Sequence, residues 1–175
     1  MAHRGLTGVL LVGGASTRFG SPKALARLGD ETFADRAWRL LGEACSERIA
    51  VGKGEYELPF EVLDDGTDVR APIAGIVAGL RVAANDVAVV IPVDVPNLTA
   101  AALVELADAC RDAAVPRTGP LPGAYRRSAL PVLEAALAEG RLKLRHVLLE
   151  LDVAVVPLDE RLLVNVNTPG DVRRL

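Results

Sequence analysis

Hydrophobic residues along this chain fall into two kinds of run, and the two kinds alternate. Short continuous apolar runs, rich in valine and other β-branched residues, predict buried strands of a parallel sheet. They cover residues 8–12, 48–52, 60–65 and 87–94. Between them, apolar residues recur three and four positions apart, which predicts helices that bury one face. These helical runs cover residues 33–45, 71–84 and 99–113, with Pro72 in the first turn of the second and Thr99 as the N-cap of the third.

The last third of the chain continues the alternation less regularly. Residues 113–116 predict a strand, residues 119–125 are rich in turn residues, and the next helix is expected to end at Gly140. The remaining predicted elements are a helix over 143–151, short strands over 153–158 and 162–167, and a final helix from residue 168.

Alternating strands and helices predict an α/β fold of one domain over residues 1–175. We expect a Rossmann-like three-layer sandwich, with a mainly parallel sheet and helices on both faces. Ligands of such sheets collect outside the carboxyl ends of the strands. Gly13, Asp64, Asp94 and Asn165 each lie at or near such an end, so we expect them to converge if their strands are neighbours.

The composition fits a folded domain and narrows the class of partner. With 175 residues, 50% of them hydrophobic, the chain can bury a full core. A net charge of -3 and 3% aromatic residues argue against a nucleic-acid partner, and no apolar run reaches the ~20 residues that span a bilayer. The N-terminus lacks a signal-peptide cleavage site, and Cys45 and Cys110, both in predicted helices, have no zinc spacing. We therefore expect a cytoplasmic protein with two buried, reduced thiols.

A glycine-rich turn follows the first predicted strand, with the sequence GGASTRFGSPK from Gly13 to Lys23. Glycines let a ligand approach the backbone, whose N–H groups can form an anion-binding concavity. Arg18 and Lys23 add donors for phosphate oxygens, and Lys23 is one of only three lysines among 20 basic residues. The spacing matches neither GxGxxG nor GxxxxGK[ST], which argues against a dinucleotide or P-loop site. The residues alone also allow a plain turn with solvated charges.

The segment LVGGASTRFGSPKAL closely resembles the LxGGxSxRMGxxK signature of nucleotidyltransferases, with Phe19 in place of methionine. The particular likeness is to the molybdenum cofactor guanylyltransferases, whose fold is GT-A-like, and it extends in order over nearly the whole chain. It implies that Lys23, Arg18 and Asp94 are catalytic. It also implies nucleotide-binding positions at Leu11, Val12, Gly13, Gly14, Ser16, Lys23, Asp64, Asp94, Asn165 and Asn167.

Asp94 ends an apolar strand in the segment VVIPVDVPNL. By its own chemistry it is either a cap for the strand end or an oxygen ligand for Mg²⁺ shared with phosphates. The segment resembles the DMP motif of the guanylyltransferases, with Val95 in place of methionine. That resemblance implies that Asp94 binds the metal, Mg²⁺.

Asn165 and Asn167 are two of only four asparagines in the chain. Alternation would place both side chains on one face of a strand, where asparagine is unfavourable. Their amides suit a metal or a phosphate, but a turn before a helix capped by Thr168 is also compatible with the sequence. The segment resembles NxNTPEDL, which closes the guanylyltransferase site, with Gly170 in place of glutamate.

Residues 64–80 resemble the D…GPLAG region of the same family, which implies that Asp64 binds the nucleotide, with the base and ribose nearby. Asp65 and Asp68 are interpreted as part of a solvated acidic loop. Gly52 stands where the family often has asparagine. Residues 115–125, expected on the pterin side, are short and carry Thr118-Gly119 in place of Asp-Gly.

Together these resemblances imply transfer of GMP from Mg·GTP to molybdopterin or Mo-molybdopterin, with release of pyrophosphate. Pterin-delivery proteins or molybdoenzyme chaperones are the implied protein partners, with neither nucleic acid nor membrane involved. The alternatives are a cytidylyltransferase, a sugar-phosphate nucleotidyltransferase and a nucleotide-binding regulatory domain without turnover. Tyr125, Arg126 and Arg127 either meet a second phosphate-bearing substrate or begin a solvated helix, and His146 is interpreted as a packed or surface helix residue.

Overall fold

The computed structural model describes residues 3–13, 22–54 and 57–173, where strands and helices alternate. The strands are β1 (His3–Leu11), β2 (Arg27–Leu28), β3 (Glu31–Thr32), β4 (Cys45–Gly52), β5 (Val62–Asp64), β6 (Val87–Pro92), β7 (Ala113–Pro116), β8 (Gly123–Arg126) and β9 (Val153–Val156). The helices are α1 (Phe33–Ala44), α2 (Pro72–Val82), α3 (Ala100–Ala109), α4 (Leu130–Ala138), α5 (Leu144–Val147) and α6 (Pro169–Val172). Short 3₁₀ turns occupy Lys23–Leu25, Arg127–Ala129, Leu148–Glu150 and Glu160–Leu163.

Seven strands form one mixed sheet in the order β5-β4-β1-β6-β8-β7-β9. β1 pairs in parallel with β4 and β6, and β4 pairs in parallel with β5, so four neighbouring strands point the same way. β8 runs antiparallel to both β6 and β7, and β9 is parallel to β7. All strands of this sheet except β8 therefore end at the same edge, which we call the carboxyl edge.

The sheet carries an apolar core on each face, and the alternation of side chains in β1 separates the two. Leu6 and Leu10 join one cluster with residues of α1 and α3. Val9 and Leu11 join the other cluster with residues of α2, α4 and α5. The predicted three-layer α/β fold, with a mainly parallel sheet between two helical layers, is confirmed, whereas the single-domain boundary at residues 1–175 stays a prediction.

Threonine caps fix where three of the helices begin. The Thr32 hydroxyl accepts a hydrogen bond of 3.0 Å from the Asp35 N–H, and the Asp35 carboxylate accepts one from the Thr32 N–H. Thr99 and Thr168 accept in the same way from the first turns of α3 and α6, as the sequence predicts for Thr99 and allows for Thr168. Such caps satisfy backbone donors that a helix cannot satisfy itself, so they mark helix starts in the sequence.

Helix α2 packs closely against β1 because glycines form its contact surface. A Cβ atom on Gly75 would lie 2.6 Å from Leu11 Cδ2, and one on Gly79 would lie 2.8 Å from Val9 Cγ1. Eight of the eleven residues of α2 are buried. This packing brings the first turn of α2 to the carboxyl edge, beside the ends of β1 and β4.

The structure corrects two expectations about secondary structure and adds one element that the sequence did not indicate. Residues 123–126 of the turn-rich segment form β8, a strand too short and too rich in glycine and alanine to show a period. Residues 164–167, expected to belong to a strand, follow a 3₁₀ turn and pair with no strand among the described residues. The hairpin of β2 and β3, which turns at Gly29 with a φ of 65°, has two-residue strands and so gives no sequence signal.

The tyrosine and two arginines that follow the turn-rich segment lie away from the carboxyl edge. Tyr125 is fully buried, and its hydroxyl donates to the Pro120 carbonyl at 2.6 Å. Arg126 pairs with Asp86, just before β6, and so lies at the opposite edge of the sheet. Arg127, also at that edge, begins the 3₁₀ turn that leads into α4. Because β8 runs antiparallel to β6, none of the three is placed to meet a substrate phosphate at the carboxyl edge.

Both cysteines are buried, free thiols, as predicted. Their secondary structure differs from the prediction, because Cys45 begins β4 and Cys110 follows the last residue of α3. Burial raises the pKa of Cys45 to about 12 and that of Cys110 to about 11. The neutral thiol is therefore the stable form of each group at neutral pH.

We expect both thiols to be inert toward electrophiles in the folded protein. At pH 8, about one Cys45 side chain in 10,000 and about one Cys110 side chain in 1,000 is ionised, and the thiolate is the reactive form. Titration with a chromogenic disulfide should give slow modification of the native protein and rapid release of two equivalents in denaturant. Rapid modification of the native protein at pH 8 would contradict the burial described here.

Candidate active site

A cavity of about 270 Å³ opens at the carboxyl edge of the sheet. Its walls come from the ends of β1, β4 and β6, from the first turn of α2, and from Leu121 in the loop after β7. Most of the lining is apolar, but Arg70 and two lysine–carboxylate pairs interrupt it. The pairs are Lys23 with Asp94 and Lys53 with Asp65. Such a cavity suits a ligand with a flat apolar body and polar groups at two ends.

The first pair brings two side-chain oxygens around one cation. Lys23 Nζ lies 3.0 Å from Asp94 Oδ2 and 3.2 Å from Asn167 Oδ1. The side chains of Lys23 and Asp94 are 18% and 22% exposed, so a ligand can reach both. Carboxylate and amide oxygens are the hard ligands that Mg²⁺ prefers. Here one oxygen of each kind, from Asp94 and Asn167, already contacts the positively charged Lys23 side chain. The residues present therefore fit a magnesium ion.

Backbone hydrogen bonds hold these side chains in place. The Val166 N–H donates to the Asp94 carbonyl at 2.9 Å, and the Val166 side chain is fully buried. The Asp171 carboxylate, part of the cap of α6, accepts from the Asn167 N–H at 3.0 Å. Segment 164–167 is thus fixed against the end of β6 without forming a strand, which presents Asn167 to Lys23.

Only some of the site residues predicted from the sequence line the cavity. Leu11, Val12, Gly13, Lys23 and Asp94 line the cavity. Asn167 joins them through Lys23, whereas Asn165 is exposed and its side chain makes no hydrogen bond within the described part of the chain. Gly14, Ser16 and Arg18 lie outside the described residues, so their roles stay predictions.

The second pair lies at the ends of β4 and β5, and the sequence interpretation missed it. Lys53 Nζ lies 2.5 Å from Asp65 Oδ1 and also donates to the Thr67 carbonyl. The two side chains are 16% and 8% exposed, so the solvated position expected for Asp65 is wrong, while Asp68 is exposed as expected. The available signal was a lysine directly after a predicted strand, in a chain whose other basic residues are nearly all arginine.

Asp64 and Asp65 point in different directions at the end of β5. Asp64 pairs with Gly52 in the sheet, is exposed, and accepts from the Gly66 N–H at 2.7 Å. It borders a shallow groove outside the cavity, whereas Asp65 lines the cavity itself. Asp64 is the last residue of β5 and Asp65 begins the turn that follows, where it accepts from the Thr67 N–H and Lys53, so the two side chains leave the backbone in different directions. The nucleotide-binding role of Asp64 stays a prediction.

Gly52 leaves no room for a side chain at the end of β4. A Cβ atom there would lie 2.7 Å from Val12 Cγ2 and 3.4 Å from Val62 Cγ1. The asparagine that the resemblance leads one to expect at this position does not fit unless Val12 moves. Contacts to the ligand from this part of the wall must therefore come from the backbone or from neighbouring residues.

Replacing Gly52 with alanine should lower the free energy of unfolding by about 1–3 kcal/mol, the usual cost of overpacking. It should also weaken nucleotide binding, because Val12 lines the cavity. In a Val12→Ala background the same change should cost little, since its clash partner is gone. Thermal denaturation measures the change in stability, and binding of a fluorescent nucleotide measures the change in affinity. An equal loss of unfolding free energy in the wild-type and Val12→Ala backgrounds would contradict the packing described.

The described residues contain neither a cluster of metal-binding side chains nor a membrane-spanning helix. Within residues 3–13, 22–54 and 57–173, no group of three His, Cys, Asp or Glu side chains is placed to hold a metal ion. A cation bound at Asp94 and Asn167 would therefore take most of its ligands from phosphates and water, as Mg²⁺ does in phosphate sites. In the same part of the chain, no helix has the length and apolar character to cross a membrane.

Comparison with known proteins decides the family. A model of the MobA-like NTP transferase domain matches residues 8–155, which include β4, β6 and the end of β1 that line the cavity. This chain belongs to the MobA-like NTP transferase family. It is therefore a nucleotidyltransferase, and the glycine-rich segment, Lys23 and Asp94 all lie inside the matched region.

Several relatives carry the name "Probable molybdenum cofactor guanylyltransferase", among them proteins from Deinococcus radiodurans and Chloroflexus aggregans. The protein from Deinococcus radiodurans is 36% identical and covers 97% of this chain and 93% of its own length. The protein from Chloroflexus aggregans is 31% identical and covers 98% of this chain and 93% of its own length.

Solved structures place the MobA-like chain among nucleotidyltransferases in fold as well. Molybdopterin-guanine dinucleotide biosynthesis protein A from Archaeoglobus fulgidus matches with a TM-score of 0.81 and 26% identity, over 96% of this chain and 95% of that one. The 2-C-methyl-D-erythritol 4-phosphate cytidylyltransferase from Thermus thermophilus matches with a TM-score of 0.71 and 18% identity, over 95% of each chain, and shares the fold alone.

Proposed function

We propose that this protein transfers GMP from Mg·GTP to molybdopterin or Mo-molybdopterin and releases pyrophosphate. The observation that carries the proposal is the convergence of Lys23, Asp94 and Asn167 at one end of the cavity at the carboxyl edge. The names of the relatives support guanine as the base and the molybdenum cofactor as the acceptor, and the name of the Archaeoglobus fulgidus protein supports a molybdopterin. These names mention no metal, so we infer Mg²⁺ from the side-chain oxygens of Asp94 and Asn167.

The cavity suggests how the nucleotide lies. We place the triphosphate at Lys23, against the backbone of the glycine-rich segment from Gly13 to Gly20. Gly14, Ser16 and Arg18 keep the phosphate-binding roles that the resemblance implies. The nucleoside then extends past β1 toward the ends of β4 and β5, where the first turn of α2 and Asp65 line the cavity. We assign the nucleotide contact to Asp65 rather than Asp64, because only Asp65 lines the cavity.

The reaction needs alignment and charge neutralisation more than proton transfer. A phosphate monoester has a second pKa near ~6, so the acceptor phosphate is largely a dianion at neutral pH and needs no general base. Its oxygen attacks the α-phosphorus of GTP and forms a P–O bond. The bond from the α-phosphorus to the bridging oxygen breaks, and the electron pair leaves with pyrophosphate.

Three side chains at the phosphate end have distinct tasks. Lys23 supplies a point charge for the α-phosphate and the leaving oxygen, where negative charge develops. Asp94 and Asn167 would hold Mg²⁺, which when bound neutralises charge across the phosphates. In the structure Lys23 donates to Asp94 Oδ2 and to Asn167 Oδ1, and nucleotide phosphates would draw the ammonium away from these two oxygens and leave them for the metal.

The loop after β7 marks the side on which we place the acceptor. Leu121 reaches the cavity wall, the Tyr125 hydroxyl holds Pro120 at 2.6 Å, and Arg145 donates to the Thr118 carbonyl. A short loop held at both ends forms a fixed wall beside the phosphate end. The protein partners named above and the cytoplasmic location stay predictions.

Pyrophosphate release tests the function directly. Purified protein with molybdopterin and Mg²⁺ should release pyrophosphate with GTP and much less with CTP, UTP or ATP. A preference for CTP would indicate a cytidylyltransferase. Nucleotide binding without pyrophosphate release, with molybdopterin or with sugar phosphates, would indicate a regulatory domain.

A further inference from the structure

The pair of Lys53 and Asp65 has no task in the transfer chemistry, yet it lies in the same cavity. Strand β1 separates the ends of β4 and β6, so Lys53 and Asp94 follow strands about 10 Å apart, two strand spacings. The pair therefore faces the part of the cavity that receives the base when the phosphates lie at Lys23. The walls between are apolar and suit the flat faces of a purine.

The hydrogen-bonding capacity of this pair is only partly used. Lys53 has three donors, and within the described residues two are taken, by Asp65 and by the Thr67 carbonyl. Asp65 accepts from Lys53 and from the Thr67 N–H through Oδ1, which leaves Oδ2 for a ligand. One donor of Lys53 and one acceptor of Asp65 are thus held side by side. The hydrogen bond between the two residues fixes which of them lies on which side.

That order matches one base better than another. Guanine presents the acceptor O6 next to the donors N1–H and N2 amine, which complements a lysine beside a carboxylate. Adenine in the same position places its N6 amine against the ammonium and its N1 lone pair against the carboxylate. Both contacts are unfavourable, so the pair selects by repulsion as well as by attraction. Gly52, the neighbouring wall residue, has no side chain that could read the base.

We propose that Lys53 is a specificity-determining residue that donates a hydrogen bond to O6 of guanine and is held in place by Asp65. The proposal rests on the function proposed above. It identifies Lys53 as the residue that makes the cavity bind GTP in preference to other nucleoside triphosphates.

Binding of two nucleotides that differ only at O6 tests this role. 6-Thioguanosine triphosphate keeps the N1–H and the N2 amine of guanine and replaces O6 by sulfur, a much weaker hydrogen-bond acceptor. The wild-type protein should bind GTP about 10-fold more tightly than this analogue, the lower end of the factor expected for a hydrogen bond to a charged donor. Lys53→Met should bring the two dissociation constants close together, whereas Lys53→Arg should keep most of the preference. Lys143→Met, which removes an exposed lysine outside the cavity, is the matched control.

The outcomes separate this inference from the proposed function. A Lys53→Met protein that binds both nucleotides more weakly by the same factor would show that Lys53 only neutralises Asp65, and would overturn the inference while the wild type still selects GTP. A wild-type protein that binds all nucleoside triphosphates equally would overturn both. Because binding is measured without an acceptor, a failure to use molybdopterin would count against the proposed function alone. A melting curve for each variant confirms that it is folded. If the methionine variant does not fold, Lys53→Met combined with Asp65→Asn, which leaves no unpaired carboxylate, gives the same comparison, because both nucleotides keep N1–H.

Discussion

Asp94→Asn is expected to lower kcat by about 10²- to 10³-fold, the usual cost of removing a group that stabilises transition-state charge. The change replaces a carboxylate oxygen of the metal site by a neutral amide and weakens the hold on Mg²⁺. Raising the Mg²⁺ concentration should recover part of the loss. Steady-state pyrophosphate release over a magnesium series is the measurement.

The structure makes this a clean test of the side chain. The backbone carbonyl of Asp94, which holds segment 164–167 through the Val166 N–H, is unchanged by the substitution. The lost ion pair with Lys23 is partly exposed, so stability should fall by no more than about 1 kcal/mol. Asp68→Asn, in an exposed loop, is the matched control. Full activity of Asp94→Asn at low magnesium would remove Asp94 from the metal site.

Lys23→Met is expected to lower kcat by about 10²- to 10³-fold while changing the dissociation constant of GTP less than kcat. The ammonium meets charge that develops on the α-phosphate and the leaving oxygen, so its contribution is larger in the transition state than in the bound ground state. Single-turnover rates together with equilibrium binding separate the two effects.

The control for this variant is Lys143→Met, because Lys143 is exposed at the start of α5, outside the cavity. Methionine keeps most of the length of the lysine side chain, so packing around residue 23 changes little. Equal losses in kcat and in GTP binding would show that Lys23 only binds the substrate. Unchanged kinetics would remove it from the site.

The fold could be predicted from the sequence because its signals are local. Helix α1 is an example, since Thr32 and Asp35 cap it and Phe33, Ala37 and Leu41 repeat at helical spacing. The valine-rich run of β6 shows a buried strand in the same direct way. Strand β8 gives no such signal, because four residues next to a turn are too few to show a period.

The candidate site could be predicted only in part. Lys23 and Asp94 were found from short motifs, each with its own chemistry. The sequence could not show which acidic residue faces the cavity. Asp64 and Asp65 are adjacent, and the directions of their side chains depend on the register of β5 with β4. Lys53 belongs to no motif, and its importance appears only when Asp65 and Thr67 are seen around it.

By itself the sequence determined what depends on neighbours along the chain: the periodic runs that form strands and helices, the threonine caps, and a glycine-rich segment followed by a lysine. Only the tertiary structure decided which side chains meet. Lys23 contacts residues 71 and 144 positions away, and Lys53 meets Asp65 across two strand ends. The physical reason is that pairing in a parallel sheet brings together strand ends that are distant in the chain, and a one-residue change of register would turn different side chains toward the ligand.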